Sequence, residues 1–139
     1  MADPFNLQRF LEAQAPVYER VCAELRNGHK QSHWMWFIFP QIAGLGHSAM
    51  AQRYAISSLR EAEAYLKHAV LGPRLLECTT LLLQVDNKSA HAILGSPDDM
   101  KFRSSMTLFA RAAPEEQVFR AAIDKYFGGN EDQSTVGRL

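Results

Sequence analysis

The amino-acid sequence predicts an all-α fold, a single compact bundle of about seven helical segments. Apolar residues recur at the three- and four-residue spacing of helices along most of the chain. Residues that cap or end helices stand at the boundaries of these runs. One segment has the composition of a buried strand, and no second convincing strand exists to pair with it. The sequence therefore argues against a sheet.

Length and composition indicate one globular domain. The chain has 139 residues, 47% of them apolar, and its 15 Lys and Arg balance its 15 Asp and Glu, so the formal charge is zero. A chain of this mass buries about two-thirds of its extended surface, which is enough for one core. We expect a single helical domain over residues 1–139, with residues 130–139 as a polar C-terminal tail. Disordered, collagen-like and extended coiled-coil classes do not fit these figures.

The same composition excludes several kinds of partner. No apolar run approaches the length of about 18 residues that a membrane helix needs, and the N-terminus lacks a signal-peptide pattern, so we expect a cytoplasmic protein. Nucleic-acid binding is not expected, because there is no stripe of Lys and Arg. Cys22 and Cys78 lie in helical apolar patterns without zinc-ligand spacing, so we expect structural thiols and no metal or cofactor.

Two helices are predicted in the first part of the chain. Asp3 followed by Pro4 can open the first helix. The second begins near Pro16 and ends at Asn27-Gly28, a candidate left-handed cap. Its predicted apolar face consists of Val17, Tyr18, Val21, Cys22 and Leu25.

The segment from His33 to Pro40, with the sequence HWMWFIFP, is the most aromatic part of the chain. It suits a buried strand or a short buried helix, and length alone does not separate the two. Ser32 can cap a helix there and Pro40 must end one, so we predict a short buried helix. Because Trp34 and Trp36 are two residues apart, we expect at least one in the core and Trp36, beside His33, to be the exposed one.

Serines mark the next two predicted helix starts. Ser48 can cap a helix that continues through Ile56. Ser58 with Glu61 has the spacing of a capping box. The helix that follows is predicted to present one apolar face, formed by Leu59, Ala62, Leu66, Ala69 and Val70.

The second half of the chain predicts the core helix and three others. Gly72-Pro73 starts a helix whose leucines cover so much of its circumference that it must be central. A short helix over residues 89–94 ends at Gly95, after which Ser96 supplies a cap and Pro97 a first helical position. The last helix runs from Pro114 to Gly128-Gly129. The helix after Pro97 is predicted to be apolar at Phe102, Met106 and Phe109 and polar at Asp98, Lys101 and Ser105.

Two short motifs match known site patterns only in part. Gly44-Leu45-Gly46 followed by Ala49 has the letters of the dinucleotide fingerprint, but residues 40–43 separate it from the preceding segment, and a second strand at residues 81–85 would place Asp86 too far away. His29 and His33 are four residues apart, yet neither the Glu of a metalloprotease motif nor a third ligand accompanies them. Neither a dinucleotide fold nor a metal site is predicted.

Polar and charged side chains concentrate within the two most aromatic segments, which is how ligand pockets are usually lined. We predict a small-molecule site between the tryptophan segment and the helix that carries Lys101 and Arg103. An anionic ligand with a flat ring suits it, because basic side chains hold carboxylates or phosphates. If the site is catalytic, His33 or Asp132 is the acid or base. The candidate ligand-binding residues are His33, Trp36, Gln41, His47, Lys101, Arg103, Asp132 and Thr135.

These residues also have structural explanations. Asp98 with Lys101, and Asp99 with Arg103, have the spacing of surface ion pairs on a helix. The tail that carries Asp132 can be a mobile end. The competing functional hypothesis is an interaction module, in which the same aromatic residues meet another protein or a second copy of the chain. Oligomeric state and enzymatic activity stay open at this point.

Several segments together form a recognisable set: residues 33–41 (HWMWFIFPQ), 44–46 (GLG), 65–68 and 71–75, 104–109 (SSMTLF), and 127–129 (FGG) ahead of Asp132 and Thr135. The set resembles one bacterial family, the domain of unknown function 1810, over nearly the whole chain. The resemblance implies a mainly helical single domain and no established activity or catalytic residue. Ala69 departs from the family, which has Pro after the His. Members are often labelled calpastatin, but those inhibitors are flexible polar chains, whereas this composition builds a core.

Overall fold

A computed structural model describes residues 2–139 of the chain, and these residues form ten helices and no strand. The prediction of an all-α fold is confirmed, and about seven segments is close, because six of the helices have seven or more residues. The helices are α1 Gln8–Gln14, α2 Tyr18–Arg26, α3 Met35–Ile38, α4 Ala49–Arg53, α5 Leu59–Lys67, α6 Leu71–Leu83, α7 Ala90–Leu94, α8 Asp98–Ala112, α9 Gln117–Phe127 and α10 Gln133–Val136.

The core forms around α8, the longest helix, which packs against α3, α5, α7, α9 and α10. The predicted core helix, α6, packs against α2, α5 and α9. Aromatic rings from different helices meet edge to face or tilted, with 4.9 Å between the centroids of Phe39 and Phe102 and 5.4 Å between those of Tyr65 and Phe109. Such pairs add to the gain from burying their apolar surface.

The tryptophan segment is a short buried helix, α3, as predicted. Trp34 is 1% exposed and Trp36 is only partly buried, so one indole lies in the core and the other reaches the surface. Ser32 does not cap this helix, contrary to expectation, because the N-cap position is Trp34. The Ser32 hydroxyl donates instead to Oε2 of Glu24 over 2.6 Å.

Glu24 connects the end of α2 to the tryptophan segment. Its buried carboxylate accepts hydrogen bonds from the amides of Gln31 and Ser32, from the Ser32 hydroxyl, and from the Trp34 indole N–H at 2.9 Å. Burial raises the pKa of Glu24, but these hydrogen bonds outweigh burial and lower the pKa to about 2. The ionised carboxylate therefore fixes the path of the chain into α3.

Two of the predicted boundaries in the first half are wrong by a few residues. Asp3 stands outside the first helix and accepts hydrogen bonds from the amides of Leu7 and Gln8, so α1 begins at Gln8. Ser48 caps α4 as predicted, but α4 ends at Arg53. Ile56 lies beyond it, because that residue forms a parallel bridge with Ile42 instead.

Three further expectations, in α5 and α8, also differ. α5 ends at Lys67, so Ala69 and Val70 lie outside it and are exposed. Pro97 occupies the N-cap position of α8, and no side chain, that of Ser96 included, caps this helix. Ser105 is fully buried in α8 and its hydroxyl has no partner among residues 2–139, so it does not belong to a polar surface stripe.

Residues 130–139, the predicted polar C-terminal tail, fold against α8. Asp132 caps α10, and its Oδ2 accepts hydrogen bonds from the hydroxyls of Ser104 at 3.0 Å and Thr135 at 2.5 Å. Arg103 donates to the backbone carbonyls of residues 130–131 over 2.8 and 2.9 Å, so the predicted pair with Asp99 does not form. The C-terminal segment is therefore part of the packed structure.

Candidate functional site

A partly open cleft of about 190 Å³ lies beside the tryptophan segment. Its lining combines two aromatic rings, Trp36 and Tyr54, with the amide side chains of Gln41 and Gln52. The rest of the lining comes from Ile42 and from small residues of α4, of the loop before it and of the segment just after it. Aromatic rings next to a few polar groups are typical of sites for small organic ligands.

The loop between α3 and α4 is held in place by the bridge between Ile42 and Ile56. The Ala43 amide donates to the Ile56 carbonyl, and the Ile56 amide donates to the carbonyl of residue 41, both over 2.8 Å. Gly44 has a φ of +98°, which other residues rarely adopt. A Cβ on Gly46 would lie 2.6 Å from the Cβ of a residue in α4, so only glycine allows this approach. The two glycines of the GLG motif therefore shape the cleft.

Two lysines lie over the two tryptophans. Lys30 Nζ is 5.1 Å from the Trp34 ring centroid, and Lys101 Nζ is 5.5 Å from that of Trp36. Both lysines pair with the same carboxylate, Asp98, at N–O distances of 2.9 Å and 3.6 Å. Because two positive charges share one negative charge, a net positive charge remains beside Trp36.

Arg138, in the C-terminal segment, reaches the same loop. A Cβ on Gly44 would overlap Nη1 of Arg138, so the guanidinium packs directly against the glycine. None of the ion pairs formed within residues 2–139 involves Arg138. Guanidinium groups carry five N–H donors, and those of Arg138 are not committed to a carboxylate of the described chain.

The predicted site residues fall into two places. Trp36 and Gln41 line the cleft, and Lys101 lies over Trp36. His47 is exposed on the same loop and His33 is exposed just before α3. Of the eight predicted residues, only Trp36 and Gln41 line the cleft. The last three instead form the contacts that hold the C-terminal segment on α8: Arg103, Asp132 and Thr135.

Sequence reasoning misses two features that the fold creates. Arg138 packs against Gly44 of the cleft lining only because residues 130–139 dock on α8, and no local pattern indicates that docking. Cys22 and Cys78 are far apart in the sequence, but α2 packs against α6, so that both cysteines lie in one cluster with Tyr18 and Glu77. The only sequence signal for this cluster is that Tyr18 and Cys22 are four residues apart on one predicted helix face.

No three His, Cys, Asp or Glu side chains of residues 2–139 are grouped so that they could hold a metal ion. None of the helices described is both long and apolar enough to cross a bilayer. Large apolar side chains are exposed at Val70, Met100 and Leu139.

Comparison with known proteins gives a family and a fold. A family described as a protein of unknown function (DUF1810) matches residues 4–139, which confirms the resemblance drawn from the tryptophan and glycine segments. The chain is also similar to a solved structure, the conserved hypothetical protein Rv1873 from Mycobacterium tuberculosis. The two are 60% identical with a TM-score of 0.97, over 99% of this chain and 98% of that one. No curated protein matches the chain.

Proposed function

Since the chain belongs to the family of proteins of unknown function DUF1810, we propose its function from the cleft itself: it binds a small anionic molecule that carries one flat ring. The observation that carries the proposal is the combination of an aromatic lining with two basic side chains that pack against residues of that lining. The lining supplies Trp36 and Tyr54, and the basic side chains are Lys101 and Arg138.

The aromatic part of the cleft favours a planar ligand. Trp36 is half-buried, so part of its ring is held by the protein and part faces the cleft. Rings gain about 0.5–1.5 kcal/mol from stacked or edge-to-face contact beyond the area that they bury. A volume of about 190 Å³ is small for a ligand site, so the proposed ligand has a single ring rather than a dinucleotide-sized structure.

The basic part of the cleft favours a carboxylate or a phosphate. Lys101 shares its carboxylate partner with Lys30, and Arg138 has no carboxylate partner within residues 2–139. An arginine fork holds two oxygens of such a group at once. Arg103 was the arginine expected in this role, but its donors are used by backbone carbonyls, so the proposal assigns the contact to Arg138.

Nuclear magnetic resonance of the two indole N–H groups tests the proposal. Trp34 is buried and donates to Glu24, so its signal is an internal control for the signal of Trp36. Benzoate, phenyl phosphate and inorganic phosphate are titrated separately. We expect the two ring-bearing acids to move the Trp36 signal in a saturable way, and inorganic phosphate to bind more weakly.

Variants then separate the parts of the site. Arg138→Ala and Lys101→Ala should each weaken binding of the ring-bearing acid about tenfold or more, because each removes a charge-assisted contact. Arg20→Ala is the matched control, since Arg20 is exposed on α2 and does not line the cleft. Unchanged affinity in the Arg138 and Lys101 variants, or no saturable shift with any probe, would reject the site.

The competing function is an interaction surface for another protein or for a second copy of the chain. Light scattering over a dilution series measures the second case directly. In a stable dimer, protection of the Trp36 signal from a soluble quencher would mean that a protein surface covers the cleft. That result would contradict the small-ligand proposal. A monomer at all concentrations, with ligand-dependent shifts at Trp36, supports it.

A further inference from the structure

The two cysteines of the chain meet in a cluster between α2 and α6. Cys22 Sγ lies 3.7 Å from Oε1 of Glu77, and Cys78 Sγ lies 3.9 Å from the Tyr18 hydroxyl. The Tyr18 hydroxyl donates to the same Glu77 oxygen, so a short chain of contacts joins the two sulfurs. Neither cysteine lines the Trp36 cleft.

The two thiols differ in their access to solvent. Cys22 is 4% exposed and lines an open surface depression together with Tyr18, Arg26 and Glu77. Cys78 is 1% exposed and does not line that depression. A small reagent that enters the depression therefore meets Cys22 first, and Cys78 lies behind it.

The electrostatic surroundings also distinguish the two thiols, because they favour ionisation of Cys22 over ionisation of Cys78. Contact with the Cys78 thiol lowers the pKa of Cys22, and Tyr18 and Arg26 contribute in the same direction, against the opposing effects of burial and of the Glu77 charge. The same contact and burial raise the pKa of Cys78. Cys22 is therefore the thiol that ionises first, and the thiolate is the nucleophilic form of cysteine.

We propose that Cys22 and Cys78 form a peroxide-reactive thiol pair, in which a small hydroperoxide entering the depression converts them into a disulfide between α2 and α6. The access to Cys22, the position of Cys78 behind it and the contacts through Tyr18 and Glu77 carry this assignment. Disulfide formation requires the sulfurs to approach to about 2.05 Å, which rotation of the two side chains must supply.

The reaction balances in two steps. The Cys22 thiol loses its proton, its sulfur attacks one peroxide oxygen, and the O–O bond breaks; the leaving oxygen takes up the proton as water or an alcohol. Cys22 is then a sulfenic acid. The Cys78 thiol loses its proton and attacks the Cys22 sulfur, the S–O bond breaks, and the departing hydroxide takes up that proton as water. One hydroperoxide is reduced and two thiols are oxidised.

Hydrogen peroxide with the folded wild-type protein tests the assignment. Intact mass under denaturing conditions and thiol labelling with a maleimide follow the reaction. We expect the mass to fall by two hydrogen atoms as both thiols are lost together, no covalent dimer on a non-reducing gel, and recovery of both thiols with a dithiol reductant. The wild-type chain unfolded in urea is the matched control, because it has the same thiols without the cluster, and it should react roughly tenfold more slowly.

Two variants separate the roles of the thiols. Cys78→Ala should stop at the addition of one oxygen atom, in a form that a sulfenic acid reagent such as dimedone traps. Cys22→Ala should lose the fast reaction. If either variant fails to fold, the comparison of folded and unfolded wild-type protein still decides the question. Retention of both thiols, disulfides only between molecules, stable oxygen addition to the wild type, or a rate equal to that of the unfolded chain would each overturn the proposal.

Discussion

The buried carboxylate of Glu24 should stabilise the fold in a pH-dependent way. A shift in its pKa from the ordinary 4.5 to about 2 corresponds to about 3 kcal/mol of folding free energy, at about 1.4 kcal/mol per pKa unit. Glu24→Gln removes the charge while keeping the size of the side chain, so we expect this loss at neutral pH.

The sign of the pH dependence follows from the direction of the shift. Because the folded pKa lies below the unfolded one, the stabilisation is complete above about pH 4.5 and is lost as the pH falls toward about 2. The difference in stability between the wild type and Glu24→Gln should therefore shrink to less than half by about pH 3.

Urea unfolding followed by tryptophan fluorescence measures this difference at each pH. Glu12→Gln, at an exposed position in α1, is the matched control and should change the free energy of unfolding little. Equal stability of Glu24→Gln and the wild type at pH 7 would refute the reasoning. A difference that stays constant down to pH 3 would show that the four hydrogen bonds, rather than the charge, make the contribution.

Three other predictions concern packing, the loop and the C-terminal segment. Phe109→Ala should cost about 3–5 kcal/mol in urea unfolding, because Phe109 is fully buried; a loss under 1 kcal/mol would contradict the described core. Gly44→Ala should lower the free energy of unfolding by about 1–2 kcal/mol in thermal unfolding, because alanine rarely adopts this positive φ, and it should also displace Arg138. Gly95 has a positive φ but no close neighbour, so Gly95→Ala should show only the cost of the strained backbone. Asp132→Ala should cost about 1 kcal/mol and speed amide hydrogen exchange over residues 133–139; unchanged exchange there would mean that its hydrogen bonds do not hold the segment.

Features that depend on nearby residues could be predicted from the sequence. The division of Trp34 and Trp36 into a core and a surface residue follows from their spacing, and the caps at Ser48 and Ser58 follow from residue type. The role of Ser32 was harder to predict, because helix capping by its hydroxyl competes with a hydrogen bond to Glu24 in another helix. A single sequence shows that Ser32 can cap, but not that a carboxylate eight positions earlier binds its hydroxyl more favourably.

The candidate site divides in the same way. Trp36, Gln41 and Lys101 could be proposed because each stands in a segment of unusual composition. Arg138 could not, since its position depends on hydrogen bonds between Arg103 and carbonyls 27 and 28 positions later. Contacts at such separation arise from the way helices pack, and a local pattern does not encode them.

The way the last ten residues pack sets practical limits on how the chain can be shortened or fused. Truncation before residue 130 would remove the Asp132 amide, which donates over 2.9 Å to the hydroxyl of the fully buried Thr107. It would also remove the Asp132 carboxylate that accepts a hydrogen bond from Ser104. A fusion partner joined after Leu139 would crowd Arg138, which packs against Gly44 of the cleft lining. Affinity tags for ligand screening therefore belong at the other end of the polypeptide.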